Sequence, residues 1–328
     1  MIALLRELAE TFGPSGREED IRRVIHGRIN NKADEIYTDA LGNLIAIKKG
    51  KGKRIMLAAH MDEIGLVATF VDDKGFIRFS GIGGVNPFFS LGQRVRFRNG
   101  TVGCVCHEET LEEFKDLKFN RMYIDIGAKN REDAQKSITP GDMAVFTGET
   151  AEQNGRYISK ALDNRIGCAI LITLLEQLEE INNEVFFVFT VQEEVGLRGA
   201  GPATYAIKPD IALAVDVTGT GDTPECKPMS VELGKGPAVM IKDNRTISHP
   251  SVKNALIDCA KRLNIPFQFE VLNVGGNDAG TIHTAAGGIP TGGVSIPCRY
   301  LHSQGEIADV TDIENTIKLI KAFISTAI

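Results

Sequence analysis

Seven side chains able to hold cations or move protons fall at or beside the ends of apolar segments in this sequence. IMLAAHMD ends in His60 and Asp62, VFFVFTVQEE ends in Glu193 and Glu194, and IALAVDV carries Asp216. VSIPCRYLHS leads to His302, and Asp163 in ALDNR opens a long helical pattern. Carboxylates gathered in a confined site raise one another's pKa or recruit cations. Two imidazoles among them favour a borderline transition metal over calcium or magnesium. His60, Asp163, Glu194, Asp216 and His302 are more ligands than one tetrahedral ion needs. A pair of divalent cations sharing one carboxylate would use them all and leave room for water, the arrangement that stabilises both oxygens of a hydrolysis.

Each signal is weak alone. Residues i and i+2 of a strand share a face, so Asp62 is placed to support His60, because a metal-bound imidazole usually donates its other N–H to a carboxylate. Adjacent residues diverge in direction. One of Glu193 and Glu194 can therefore bind metal while the other faces water as a general base. Adjacent glutamates usually decorate a solvated surface, but this pair directly follows the apolar run Val185 to Val191. Asp216 is flanked by apolar residues, where an unpartnered carboxylate would be costly. Asp163 reads equally well as a helix N-cap or first-turn acid. The other histidines have blander readings. His26 falls on an amphipathic helix, His107 lies in the acidic segment HEET, and His249 precedes Pro250 at a helix start. His283 follows a glycine-rich stretch near the proposed site and is left out of the ligand set.

Parallel strands of an open α/β sheet deliver residues distant in sequence to one edge, outside their carboxyl ends. The sequence has that rhythm, interrupted once. Residues 1–65 read as two helices and two strands. The second helix starts near Ser15, with Glu18 at capping-box spacing and Ile21, Val24, Ile25 and Ile29 at helical period. Ile55 to Ala59 lacks polar alternation and reads as a strand buried on both faces. KKGKGKR, from Lys48 to Arg54, reads as a solvated hairpin turn. Residues 66–160 change character. They contain hairpins turning at Asp73–Gly75 and Asn99–Gly100, then the short strands MYIDIG and MAVFTG, which suggests a small barrel or sandwich. Residues 161–328 return to alternating helices and strands. The expected organisation is one α/β domain split in sequence by a β-rich insertion.

The totals agree with a globular enzyme. The chain has 328 residues, 43% hydrophobic and 24% charged, with net charge −6. That balance argues against nucleic acid as a partner, since phosphate recognition needs a basic surface. No apolar run approaches the roughly 20 residues that cross a bilayer. MIALLRELAETFG reads as an amphipathic helix and not a signal peptide. Six scattered cysteines without CxxC spacing fit reduced thiols and a cytoplasmic location.

AAHMDEIG, ALDNR, QEEVGLRGA, AVDV and YLHS, in this order, resemble the dinuclear metallo-aminopeptidases of the glutamyl and tetrahedral (TET) type, over nearly the whole chain. GGNDAG and IPTGGVSIP resemble substrate-side segments of that family. The resemblance implies an α/β fold, a mixed-sheet metallopeptidase catalytic domain, with residues 66–160 as an inserted, PDZ-like small β-barrel used for dimerisation. It implies that His60 and Asp216 bind one metal, that Glu194 and His302 bind the other, and that Asp163 bridges them. Glu193 would be the general base and Asp62 would orient His60. The cofactors would be two divalent ions, zinc or cobalt and otherwise manganese. The substrates would be peptides, and dimers would assemble into a tetrahedral dodecamer.

Rival readings exist. Glu193 and Glu194 could flank a glycosidic bond. Yet the chain has no Trp and only 6% aromatic residues for stacking sugars, and neighbouring glutamates are badly placed to act from opposite sides. A deacylase or carboxypeptidase on a related dinuclear fold is the closer rival. A scaffold retaining the fold without chemistry would have no reason to keep all seven positions.

Overall fold

A computed structural model describes residues 1–111, 113–179 and 181–326. Its largest feature is a mixed sheet of eleven strands. Four run parallel as neighbours, in the order Glu184–Thr190, Arg54–His60, Ile211–Thr218 and Thr291–Arg299. Antiparallel strands extend this core. Leu44–Lys48 pairs with Glu184–Thr190 on one side, and Glu306–Asp309 pairs with Thr291–Arg299 on the other. The hairpin Ala151–Gln153 and Arg156–Ser159 joins beyond Glu306–Asp309.

The central strands are buried along nearly their whole length because helices cover both faces, as for parallel sheets generally. Leu44, Ala46, Ile55, Leu57, Val185, Phe187 and Phe189 share one core with the helices Ile2–Glu10, Glu19–Ile29, Leu162–Gln177 and Val310–Ser325. Their alternates Ile45, Ile47, Met56, Ala58, Phe186 and Val188 pack on the opposite face, against the helix Ala200–Ile207. The expectation of a two-faced buried strand at residues 55–59 holds for this reason. Phe187 is wholly buried in the larger core. Phe187→Ala is expected to cost about 3–5 kcal/mol, the usual loss when a core aromatic leaves a cavity. Denaturant unfolding of both proteins measures it, and a loss below 1 kcal/mol would contradict this packing.

The strands Gly65–Val71, Ile77–Ile82, Met122–Asp125, Val102–His107, Arg94–Phe97 and Met143–Phe146 close into a separate barrel. Its interior is a second core containing Leu66, Ile77, Val95, Val105 and Ile124. The two expected hairpins are present.

Two local expectations are corrected. Lys48 to Arg54 is not a hairpin turn, because Glu184–Thr190 inserts between the strands it joins and pairs with both. Ser15 does not form a capping box. Its hydroxyl donates to Asp62 Oδ2 at 2.6 Å, and the helix begins at Glu19. Glu18 Oε1 instead accepts the N–H groups of Gly16 (2.7 Å) and Gln192 (3.2 Å). Ser15 and Glu18 are therefore recruited by residues far along the chain. Among the described residues, no helix is long and apolar enough to cross a membrane.

Candidate metal centre

The four parallel strands end on one edge of the sheet. His60 is the last residue of its strand, and Asp216 lies near the end of the next. Glu193 and Glu194 follow the strand ending at Thr190, and His302 lies in the loop after Arg299. Asp163 comes from the first turn of Leu162–Gln177, where its backbone is non-helical and the Asp163–Asn164 peptide is cis. The N-cap position belongs to Ala161. The Asp163 side chain faces a cleft of about 550 Å³, also lined by His60, Glu193, Glu194, Asp216 and His302. Asp62 lies behind His60, wholly buried. All seven side chains singled out in the sequence thus sit in one place.

Asp163 is the centre of the geometry. Its Oδ1 lies 3.1 Å from His60 Nε2, and its Oδ2 lies 3.3 Å from His302 Nε2. Asp216 Oδ1 is 3.6 Å from His60 Nε2, and Glu194 Oε1 is 3.3 Å from His302 Nε2. Two triads have ligand atoms within 4.8 Å of one another: His60, Asp163 and Asp216, and Asp163, Glu194 and His302. Glu193 Oε2 stands 3.9 Å from His60 Nε2 and belongs to neither triad.

Both imidazoles are oriented from behind. His60 Nδ1 faces the Asp62 backbone carbonyl at 3.2 Å and its Oδ1 at 3.5 Å. His302 Nδ1 faces the carbonyl of Gly84 at 3.0 Å. Each acceptor favours a proton on Nδ1, which leaves the Nε2 lone pair for the cleft. Gly84 follows the barrel strand Ile77–Ile82, so the insertion reaches the site. A Cβ at Gly84 would lie 2.5 Å from His302 Cε1, which is why the backbone can approach only as glycine. Asp62 also accepts the N–H groups of Glu193 (3.0 Å) and Glu194 (3.2 Å). It braces the glutamate pair as well as His60.

The electrostatics call for positive charge. Burial raises Glu193 well above the usual carboxylate range despite His60 nearby, and Asp216 pushes it further. Burial likewise raises Glu194 and Asp216. Burial acts the same way on Asp163, but the hydrogen bonds from His302 and His60 override it and hold that carboxyl below its usual range. Burial disfavours imidazolium at both histidines. Even so, Glu193 and Asp216 raise His60, and Asp163 and Glu194 push His302 up to about 12. In the protein alone, the carboxylates thus favour protons on the imidazoles. Divalent cations would supply that charge and displace those protons, as ligation requires. The mixed imidazole and carboxylate donor set fits such ions.

Some neighbours were not evident in the sequence. Burial pushes Asp278 up to about 7; its Oδ2 accepts the Thr190 hydroxyl at 2.5 Å. Glu63, which pairs with Lys160 and Arg165 in the interior, lies next to Asp62, the other acid of the same motif. Glu306 lies beneath Asp163 and His302; its only sequence signal is its position four residues after His302. His249 and His283 line a separate groove, and His26 is exposed.

A mixed α/β fold with a separate closed barrel and a histidine–carboxylate cleft at its strand ends, with two candidate metal-binding groups, has the architecture expected of a metal-dependent hydrolase. The sequence profile of the M42 glutamyl aminopeptidases matches residues 42–319, and the chain belongs to that family. It is a peptide hydrolase. A protein of Acetivibrio thermocellus named as an aminopeptidase is 56% identical over 98% of this chain and 97% of its own. An aminopeptidase from the archaeon Desulfurococcus kamchatkensis superposes with a TM-score of 0.95 at 39% identity, covering 99% of this chain and 94% of that one. The TET1 peptidase of Pyrococcus horikoshii, described as assembling into a tetrahedron or a large octahedral shell, gives 0.90 at 34% identity over 98% of each chain.

Proposed function

We propose that the cleft is a dinuclear metal centre that removes N-terminal residues from peptides. His60 and Asp216 hold one cation, Glu194 and His302 hold the other, and Asp163 bridges them. The observation carrying this reading is that the two Asp163 oxygens face different imidazoles, at 3.1 and 3.3 Å. When bound, the divalent ions supply an acidified water and polarise the scissile carbonyl. Glu193, which lines the cleft but belongs to neither ligand triad, takes the proton of the attacking water and returns it to the leaving amine. Asp62 keeps His60 oriented and holds the Glu193 backbone, so that base and ligand stay in register. A substrate's free α-amine would sit near a metal or the acidic groups of the cleft, which gives the preference for a free N-terminus.

Zinc or cobalt, or otherwise manganese, suits these donors. In this reading the protein is cytoplasmic and forms homo-oligomers, with residues 66–160 as the dimerisation domain and dimers building a tetrahedral dodecamer. Light scattering on the purified protein gives the assembly size directly.

The activity test is a panel of amino-acid p-nitroanilides and N-acetylated peptides, before and after chelation. Unblocked substrates are expected to turn over, chelation to abolish turnover, and zinc, cobalt or manganese to restore it. Turnover of N-acetylated substrates alone would replace the reading with a deacylase. Polysaccharide hydrolysis surviving full chelation would replace it with a glycosidase.

A further inference from the structure

Glu306 is the first residue of the strand Glu306–Asp309 and is 2% exposed, yet both its oxygens are used on the backbone of other site residues. Its Oε2 accepts the N–H of Asp163 at 2.9 Å, and its Oε1 accepts the N–H of His302 at 2.8 Å. We propose that Glu306 is a positioning residue for the Asp163–Glu194–His302 half of the site, setting two of its three ligands through their main chains. The inference rests on the two-cation reading above.

The local backbone explains why such a clamp is needed. Asp163 lies in the first turn of Leu162–Gln177, where N–H groups lack intrahelical partners, and that helix has no side-chain cap at Ala161. Glu306 supplies the missing acceptor from a distant strand. His302 sits in a tight return between two paired antiparallel strands, Thr291–Arg299 and Glu306–Asp309. Tyr300 and His302 both take left-handed φ values there, 59° and 62°. Non-glycine residues hold that conformation only where the surroundings over-determine it. The Oε1 bond fixes the His302 amide from below, while Gly84 fixes the ring from above.

Asp62 has the matching place on the other side, accepting the N–H groups of Glu193 and Glu194. Each side of the site therefore rests on one buried carboxylate that grips two backbone amides. Glu306 does not line the main cleft, so its effect passes through the ligands it holds.

A carboxylate accepts at both oxygens, whereas a glutamine of the same shape presents an NH₂ at one of them, which cannot accept an N–H. Glu306→Gln therefore releases Asp163 or His302 without changing side-chain volume. The test is titration of the metal-free full-length protein with Co²⁺, followed by calorimetry and visible absorption. His302→Ala, run alongside, identifies the binding step that belongs to the Glu194 side. Glu306→Gln is expected to weaken that same step about 10–100-fold, the usual cost of losing a residue that orients a ligand. The other step should change less. Glu306→Asp keeps both acceptors on a shorter arm and should fall between wild type and Glu306→Gln.

Wild-type Co²⁺ binding in Glu306→Gln, with the step still lost in His302→Ala, would overturn the inference and leave the two-cation reading intact. Equal weakening of both steps would mean that Glu306 acts through the shared ligand Asp163 alone, and would overturn its role in positioning His302. Failure of both Glu306 variants to fold would also overturn it, by assigning the residue to the fold at large. If wild type itself binds fewer than two equivalents, the two-cation reading fails; if His302→Ala binds two equivalents as wild type does, His302 is not a ligand and the inference falls with that assignment.

Discussion

Glu193→Gln is expected to keep its metal and lose turnover by about 10²–10⁴-fold, the usual contribution of a positioned general base. The substitution is nearly isosteric and removes one capacity, the acceptance of a proton. Glu193 belongs to neither ligand triad, so the cation sites should be undisturbed. Its backbone N–H remains bonded to Asp62 at 3.0 Å, so the segment carrying Glu194 stays in place. kcat and kcat/KM should fall together, as they do when an interaction made only in the transition state is removed. Elemental analysis of the same preparation is the control. Unchanged turnover would remove Glu193 from the base role. Loss of metal along with turnover would make it a ligand instead.

The sequence disclosed this centre unevenly, and the reason is geometric. Strand-end residues were legible because a long apolar run fixes both the strand and the edge where it stops. His60, Glu193, Glu194 and Asp216 were found by that logic. Asp163 was harder, since a first-turn acid before a helix has an ordinary capping explanation. Only the helix start in three dimensions, with Ala161 at the N-cap, turns that carboxylate toward the cleft. Apart from Asp62, the residues that hold the ligands in place left almost no pattern. Glu306 and Gly84 act on partners through contacts spanning 143 and 218 positions. Local pattern failed for the same reason at Ser15, whose hydroxyl is taken by Asp62. The Lys48 to Arg54 turn was misread because strand order is a property of the whole sheet. An apolar run does not say which strand lies beside it, so the insertion of Glu184–Thr190 was invisible.

Asp163→Ala is expected to have the widest effect of any single change, because it removes a ligand from both triads at once. Replacing Asp216 or His302 leaves one triad whole. Replacing Asp163 leaves each side with one imidazole and one carboxylate, short of the three protein ligands typical of a catalytic site. Affinity for both cations should fall by more than the roughly 10–100-fold that follows loss of an orienting residue. Turnover on aminoacyl p-nitroanilides should drop to background, and added metal should restore little of it. The fold should survive, since Glu306 grips the backbone N–H of residue 163 and not its side chain. Circular dichroism and metal content of the same sample decide between the cases. A folded variant that still binds two equivalents with wild-type affinity would show that Asp163 does not bridge, and the ligands would have to be divided differently.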